Sequence, residues 1–267
     1  MHILVTNDDG VQAPGLLALA RSLRALAKVT VLAPDRNWTA SGHVKTLDRP
    51  LRVRETCLAD DTLALSTDGA PSDCVALALL GLLPEPIDLV VSGINAGENV
   101  GHDVTYSGTV TAAMEAAIWG LPGIAVSLQH PASPQHKADF SAAAEIARSI
   151  AAQVLRDGLP KGVLLNVNVP NLPAAAIQGL RVTRQGLRIY NDVLVERLDP
   201  RQRPYYWIGG EFPTGVPEDD TDYGALTAGC ISVTPLQLDL TAYASLKPLS
   251  DQTAGWTWLP GPGTDAG

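Results

Sequence analysis

Short runs of Val, Ile and Leu alternate with helix-like segments through the first 170 residues of the 267-residue chain. The runs are continuous rather than alternating with polar residues, which is typical of strands that are covered on both faces. Strands of this kind, separated by helices, build a mostly parallel sheet with helices on both of its faces. The sequence therefore predicts an α/β fold.

The first repeat of this pattern is the clearest. Residues 3–5 form an apolar run that ends in a turn cluster, and Pro14 then suits the first turn of a helix. The spacing of Leu16, Leu19, Leu23 and Leu26 is that of one helical face. A second apolar run, residues 29–32, completes a βαβ unit. The same pattern predicts helices at 71–83, 109–119 and 139–155 and strands at 87–91, 123–126 and 163–169.

The composition changes near residue 180. Four of the aromatic residues precede this point and nine follow it, among several prolines and short β-like runs. We expect a catalytic core at 1–180, an irregular β-rich C-terminal extension at 181–250 that returns to the core, and a loosely ordered tail at 251–267. Exposed aromatic hairpins often pack against another subunit, which predicts a homo-oligomer. The alternative is that these aromatic residues complete the core of the single chain.

Charge and cysteine content exclude several classes of protein. Acidic residues outnumber basic ones by 28 to 19, a net charge of −9, which argues against a long nucleic acid as partner. The longest apolar run, residues 74–83, is too short to span a bilayer, and no signal peptide precedes the first strand. Three cysteines without CxxC spacing indicate reduced thiols. We therefore expect a cytoplasmic protein that does not bind membranes.

Three polar loops follow predicted strands and should open onto one crevice, since ligands bind beyond the carboxyl ends of strands in an open parallel sheet. Asp8 and Asp9 follow the first strand, and adjacent carboxylates repel unless a cation lies beside them. Oxygen ligands suit Mg²⁺ or Mn²⁺, and the hydroxyl of Thr39 and the amide of Asn95 could complete the set. The alternative is that the two aspartates only form a turn and cap a helix.

Residues 106–110 place two hydroxyls and a glycine (Ser107, Gly108 and Thr109) at the start of a predicted helix. The free N–H groups of a helix N-terminus can bind a phosphate oxygen, although Ser107 or Thr109 could be a simple cap. The glycine-rich stretch at 93–101 lacks GxGxxG spacing, which argues against an NAD-type oxidoreductase. His43 and His102 are weaker catalytic candidates, and the acidic run at 218–222 is expected to be a solvated loop.

Six motifs in this order resemble those of the SurE (stationary-phase survival) nucleotidases. They are ILVTNDDG at 3–10, APDRN at 33–37, GAPSDCV at 69–75, VSGINAGEN at 91–99, YSGTV at 106–110 and GCISVTP at 229–235. The resemblance covers about residues 1 to 245. It implies a Rossmann-like core and a C-terminal part that exchanges elements between subunits of a dimer or tetramer.

The resemblance also implies an activity and a site. Members are divalent-metal-dependent phosphatases of nucleoside 5′- and 3′-monophosphates, and some also act on polyphosphate. The implied ligands of one Mg²⁺ or Mn²⁺ ion per subunit are Asp8, Asp9, Thr39 and Asn95, with Asp8 and Asp9 also catalytic. The implied phosphate contacts are Asn99, Ser107, Gly108 and Thr109. Thr39 stands where the family commonly has Ser, so the hydroxyl is kept and a methyl group is added.

Two functions remain compatible with these residues. The first is metal-assisted hydrolysis of a phosphomonoester, in which one of the two aspartates orients or delivers the nucleophile. The second is a nucleotide-binding regulatory protein that uses the same crevice without hydrolysis.

Overall fold

The computed structural model describes residues 1–131, 138–211 and 213–256. Their contacts divide the chain into two compact units, Met1–Gln237 and Leu238–Gly267. The division into segments 1–180, 181–250 and 251–267 stays a prediction, and residues 257–267 of the expected tail lie outside the described residues.

The strands form the central sheet and two small two-stranded sheets. They are β1 (His2–Thr6), β2 (Lys28–Pro34), β3 (Val53–Cys57), β4 (Leu63–Thr67), β5 (Leu89–Ala96), β6 (Gly123–Leu128), β7 (Val163–Val169), β8 (Leu180–Val182), β9 (Arg188–Ile189), β10 (Asp192–Leu198), β11 (Pro204–Gly210), β12 (Thr214–Gly215) and β13 (Ile231–Gln237). Within the described residues, nine of them form one sheet in the order β3-β4-β2-β1-β5-β6-β7-β13-β8.

The sheet is mostly parallel. The run β4-β2-β1-β5-β6-β7 is parallel throughout, whereas β3 and β13 pair with their neighbours β4 and β7 in antiparallel fashion. Strand β1 lies between β2 and β5, with Leu4 opposite Thr30 on one side and Val90 on the other. All five residues of β1 are buried, as expected for a central strand with both faces covered.

Helices cover both faces of the sheet. The α-helices of the unit Met1–Gln237 are α1 (Pro14–Leu23), α2 (Pro71–Leu77), α3 (Gly108–Ile118), α4 (Ser141–Asp157) and α5 (Asp222–Thr227), and the unit Leu238–Gly267 contains α6 (Tyr243–Thr253). Helices α1 and α4 pack on one face, and α2 and α3 pack on the other. No helix among the described residues is both long enough and apolar enough to cross a membrane.

The predicted elements are largely present, with three informative differences. The helix predicted at 71–83 is α-helical only to Leu77 and continues as a π-helical turn over Ala78–Leu82, where Gly81 has a φ of 109°. Strand β5 continues through Ala96, although residues from 92 onward were expected to form a loop. The β-like run at 230–233 becomes β13, which joins the central sheet between β7 and β8.

The C-terminal part contains a two-stranded antiparallel ribbon, β10 and β11. Its aromatic and aliphatic side chains are exposed in the single chain, including Trp207 at 64% and Ile208 at 83%. The alternative that the ribbon's aromatic residues complete the core of the monomer is therefore wrong. An isolated two-stranded ribbon is marginally stable in water.

Helix α1 provides a test of how the sheet is held together. Leu19 is fully buried between α1 and the sheet. Replacing Leu19 by Ala should lower the free energy of unfolding by about 2–5 kcal/mol because it leaves a cavity in the core. Chemical denaturation measures the change. The control is Leu63→Ala on β4, where the side chain is 76% exposed and the expected loss is below about 0.5 kcal/mol.

Candidate functional site

Three loops meet at the carboxyl end of β1. The backbone N–H of Trp38, from the loop after β2, donates to the backbone carbonyl of Asp8 at 2.7 Å. The backbone N–H of Ala96, at the end of β5, is hydrogen-bonded to the carboxylate of Asp9. The expected convergence of the segments around Asp8, Thr39 and Asn95 is therefore present in the fold.

Asp8 is held against the N-terminus of α3. Its side chain is almost fully buried, and the hydroxyl of Thr109 donates to its Oδ1 at 2.5 Å. Burial raises the pKa of Asp8, while the Thr109 hydroxyl and the backbone N–H groups of Gly108 and Thr109 oppose the rise. A Cβ at position 108 would lie 2.7 Å from the Cβ of Asp8, so glycine permits this close approach.

Asp9 is the more accessible of the two carboxylates. Burial, and then the negative charge of Asp8, raise the pKa of Asp9 to about 6, against the hydrogen bond from Ala96. Among the described residues, no Lys, Arg or His forms an ion pair with either aspartate. Two neighbouring carboxylates thus lack a cationic partner from the described chain, an arrangement that a bound cation would relieve.

Asn95 and Thr39 each carry a neutral oxygen atom and directly adjoin Ala96 and Trp38, the residues whose backbone meets Asp9 and Asp8. A β-bulge between Gly93 and Asn95 shifts the register of β5 against β6, and such bulges re-aim a side chain. The Nδ2 of Asn95 donates to the carbonyl of Gly97 at 2.7 Å, which leaves its Oδ1 free to act as a ligand. Thr39 is exposed and its hydroxyl donates to the Oδ1 of Asn37 at 2.5 Å, so its oxygen lone pairs are not used by that bond.

The residues expected to contact phosphate occupy two different environments. Ser107 caps α3, with its Oγ accepting from the N–H of Val110 at 3.1 Å. Asn99 is buried, and its Nδ2 donates to the Oγ of Ser127 at 2.8 Å. The backbone carbonyl of Asn99 accepts from the side chains of Asn166 and Asn168. The segment from 99 to 109 is therefore anchored to the sheet as well as to Asp8.

A cleft of about 410 Å³ opens beside Asp9. This volume falls within the range of sites for small molecules. Its lining residues come from the loop before α1, the start of α1, the end of β2 and neighbouring positions; they are Asp9, Gly10, Val11, Gln12, Ala13, Pro14, Gly15, Asp35, Arg36, Ala96 and Phe140.

Glu115 on α3 holds the loop after β2 in place, and this residue was not among the sequence-based candidates. Its buried carboxylate contacts the Nε2 of His43 and the Nζ of Lys45, each at 3.1 Å. The hydrogen bond from His43, more than any other interaction, lowers the pKa of Glu115 to about 2. His43 is therefore part of a link between the loop and α3, whereas the other weak candidate, His102, is exposed. A glutamate on the inward face of an apolar helix was the available signal.

The acidic run at 218–222 is only partly the solvated loop that was expected. Asp222 is fully buried, and its carboxylate accepts from the backbone N–H groups of Gly101 and Gly186, each at 2.8 Å. The preceding Thr221 caps α5 by accepting from the N–H of Gly224. A threonine three residues before a helical glycine was a weak cue for this helix, and the long-range partners of Asp222 had no local signal.

The comparisons with known proteins agree with this geometry. A model of the family described as Survival protein SurE matches residues 3–192. The chain belongs to the SurE family. The resemblance inferred from the six motifs is confirmed by this match.

Two relatives in the SurE family are similar to this chain over nearly their whole length. The 5′-nucleotidase SurE of Herpetosiphon aurantiacus is 54% identical over 256 residues, covering 96% of this chain and 99% of the relative. The 5′-nucleotidase SurE of Chloroflexus aggregans is 50% identical over 258 residues, covering 97% and 100%. The crystal structure of the SurE protein from Aquifex aeolicus has a TM-score of 0.79 and 42% identity, covering 94% of this chain and 99% of that one. The predicted fold class is therefore confirmed.

The raised pKa of Asp9 predicts how the stability of this SurE-family protein depends on pH when no metal is bound. Because the folded-state pKa is raised to about 6 from an ordinary value near 3.8, the folded state binds the proton more tightly than the unfolded chain. Stability is therefore lost as the pH rises from about 4 through about 6. Asp9→Asn removes this cost, so it should raise the melting temperature at about pH 7.5 and have progressively less effect toward about pH 4.

Thermal unfolding in EDTA at both pH values measures this difference. The control is Asp219→Asn, which neutralises an exposed carboxylate. Equal changes in melting temperature at the two pH values for Asp9→Asn would contradict the prediction.

Proposed function

We propose that this chain is a nucleotidase that hydrolyses nucleoside 5′- and 3′-monophosphates and depends on a divalent cation held by Asp8 and Asp9. The observation that carries the proposal is the pair of neighbouring carboxylates, without a cationic partner in the described chain, at the edge of a cleft for a small molecule. Support for the substrate class comes from the relatives, which are named 5′-nucleotidase SurE.

The donor set fits Mg²⁺ or Mn²⁺. The two carboxylates, the free Oδ1 of Asn95 and the hydroxyl oxygen of Thr39 are hard oxygen ligands of the kind these ions prefer. No group of three His, Cys, Asp or Glu residues in the described part of the chain forms an alternative metal cluster. We therefore assign one divalent ion per subunit to Asp8, Asp9, Thr39 and Asn95. When bound, the ion supplies positive charge that polarises a phosphate oxygen and lowers the pKa of a coordinated water.

Asp8 and Asp9 differ in burial, and we assign them different roles in the reaction. Asp8 is buried and fixed by the Thr109 hydroxyl, so its role is to hold charge in a defined position. Asp9 lines the cleft and is partly accessible, so it can contact the attacking water. We assign the orientation of that water to Asp9. The amide N–H of Asn99 that is not bonded to Ser127 can donate to phosphate.

The N-terminus of α3 brings further polar groups to the same place. The hydroxyl of Ser107 can donate a hydrogen bond to a phosphate oxygen while its Oγ accepts from the N–H of Val110 and caps the helix. Gly108 keeps the backbone close to Asp8, and the hydroxyl of Thr109 donates a hydrogen bond to Asp8. The contribution of the backbone N–H groups is largest where negative charge develops on the transferred phosphoryl group. The nucleoside would then occupy the cleft beside Asp9.

The exposed ribbon supports a homodimer or homotetramer in which the C-terminal part is exchanged or paired between subunits. Strands β10 and β11 place Val193, Leu194, Tyr206, Trp207 and Ile208 in solvent in the single chain. Exposed apolar patches of this kind mark protein contacts. We assign the partner as a second copy of this chain, in keeping with the β-rich extension expected to serve oligomerisation.

Phosphate release tests the proposed activity. Purified protein is incubated with 5′-AMP, 3′-AMP, GMP and tripolyphosphate in Mn²⁺, Mg²⁺ or EDTA, and inorganic phosphate is measured. We expect release from the nucleotides with either metal and none in EDTA. Asp9→Asn should reduce release below detection with unchanged circular dichroism, while Asp219→Asn keeps wild-type activity.

Two outcomes would contradict this proposal in different ways. Tight nucleotide binding without phosphate release would favour the regulatory protein over the enzyme. Full activity of the Asp9→Asn protein would remove the metal assignment but leave the hydrolysis in place.

Light scattering coupled to size exclusion tests the assembly. The chain mass is 28.1 kDa, so the wild type should elute with at least twice that mass. Replacing both Trp207 and Ile208 by Glu should shift the protein toward the monomer, because charge opposes burial of the ribbon. Leu47→Glu, at a position that is 85% exposed outside the ribbon, is the control. A monomeric wild type would contradict the assignment.

A further inference from the structure

A single buried guanidinium bridges Glu98 and Asp103, the two ends of the loop that contains Asn99. Arg188, on β9, places its Nη2 3.2 Å from the Oε1 of Glu98 and its Nε 2.9 Å from the Oδ2 of Asp103. The side chain of Arg188 is only 5% exposed, and those of its two partners are 10% and 18% exposed. One cation therefore neutralises two carboxylates that flank Asn99 and lie five residues apart in the chain.

Neighbouring residues of the same C-terminal segment strengthen this attachment. The hydroxyl of Tyr190 donates to the Oδ1 of Asp103 at 2.5 Å. The side-chain amide of Gln185 donates to the carbonyl of Gly101 at 2.9 Å. Asp222 accepts from the N–H of the same glycine. The segment 185–190 thus binds the loop through the side chains of Gln185, Arg188 and Tyr190.

The bound loop leads directly to the start of α3. The carbonyl of Asp103 accepts from the backbone N–H groups of Tyr106 and Ser107 at 3.0 and 3.1 Å. Ser107 is the N-cap of α3, and Thr109 in its first turn orients Asp8. Displacement of Asp103 would therefore be transmitted to Ser107 through two hydrogen bonds and a short 3-10 helix, Gly101–Thr105.

We infer that Arg188 is a positioning residue that holds the segment from Asn99 to Ser107 in the geometry needed to bind phosphate. The inference rests on the proposed function, because it gives a role to the C-terminal segment in the same site. Arg188 acts through Glu98 and Asp103 and does not itself touch the substrate.

Glu98 and Asp103 both lie against the guanidinium of Arg188, so its replacement affects both carboxylates. Burial raises the pKa of Glu98, but backbone hydrogen bonds, first that from the N–H of His130, together with the electrostatic effects of His130 and then Arg188, leave the pKa below its ordinary value. Glu98 therefore stays ionised at neutral pH. Without the guanidinium, two carboxylates at the ends of one short loop would lose their shared counter-charge. Arg188 hydrogen-bonds Glu98 through Nη2 and pairs with Asp103 by charge through Nε, whereas the single ammonium of a lysine keeps the charge but cannot place two nitrogens against the two carboxylates.

Three variants test this role. Arg188→Lys keeps the charge, Tyr190→Phe removes only the hydroxyl that reaches Asp103, and Arg184→Met is the matched control. Arg184 immediately precedes the segment 185–190 but pairs with Glu218 and Asp220 on the surface. The measurements are kcat and KM for 5′-AMP, the inhibition constant of inorganic phosphate, Mn²⁺ affinity by calorimetry, and hydrogen exchange of residues 99–107.

The expected result separates positioning from a merely structural role. Arg188→Lys should raise KM and the phosphate inhibition constant by about tenfold, since a small misplacement of binding groups is costly, with a smaller rise for Tyr190→Phe. Mn²⁺ affinity should change much less than the phosphate inhibition constant, because the four proposed ligands, Asp8, Asp9, Thr39 and Asn95, all lie outside residues 99–107. Exchange of residues 99–107 should accelerate in both variants and remain unchanged in Arg184→Met.

Unchanged KM together with unchanged exchange in both variants would overturn the inference. A lower kcat at unchanged KM would also overturn it, since it reports only a smaller folded fraction. If the wild type releases no phosphate, the proposed function fails. Hydrogen exchange and calorimetric binding of inorganic phosphate then still decide the inference, because neither requires hydrolysis.

Discussion

Strand β1 is hydrogen-bonded to β2 on one side and to β5 on the other, and both pairs are parallel. Parallel pairing places the carboxyl ends of all three strands at one edge, so the loops that follow them must meet there. Asp8 and Asp9 leave the central strand of the three, which places them between the loop that contains Thr39 and the end of β5 that contains Asn95. The site depends on this pairing more than on any single side chain.

The second constraint is electrostatic. Two adjacent carboxylates are held in a partly buried position where their charges repel, and the pKa of Asp9 rises to about 6 as a result of burial and of that repulsion. A net charge of −9 does not exclude a phosphate-bearing substrate under these conditions. It disfavours partners that need many basic contacts, whereas a small anion needs only a local cation, hydroxyl groups and a helix N-terminus.

Local patterns predicted much of the fold because burial of a parallel strand leaves a direct mark on its sequence. The apolar runs of β1, β2, β6 and β7 and the periodic leucines of α1 are examples. The extension of β5 through Ala96 was missed, since its polar and glycine residues are kept extended by pairing with β6. Strand β13 was assigned to the extension because nothing in its sequence states that its neighbours are β7 and β8.

The amino-acid sequence by itself determined the α/β class, the family and the chemical character of the site, because residue types and short-range spacing carry that information. Only the tertiary structure decided which groups surround each carboxylate: Thr109 on Asp8, Ala96 on Asp9, and Arg188 between Glu98 and Asp103. These partners lie up to 101 residues apart in the chain. Their contacts follow from strand order and helix packing, and no local pattern in the chain encodes them.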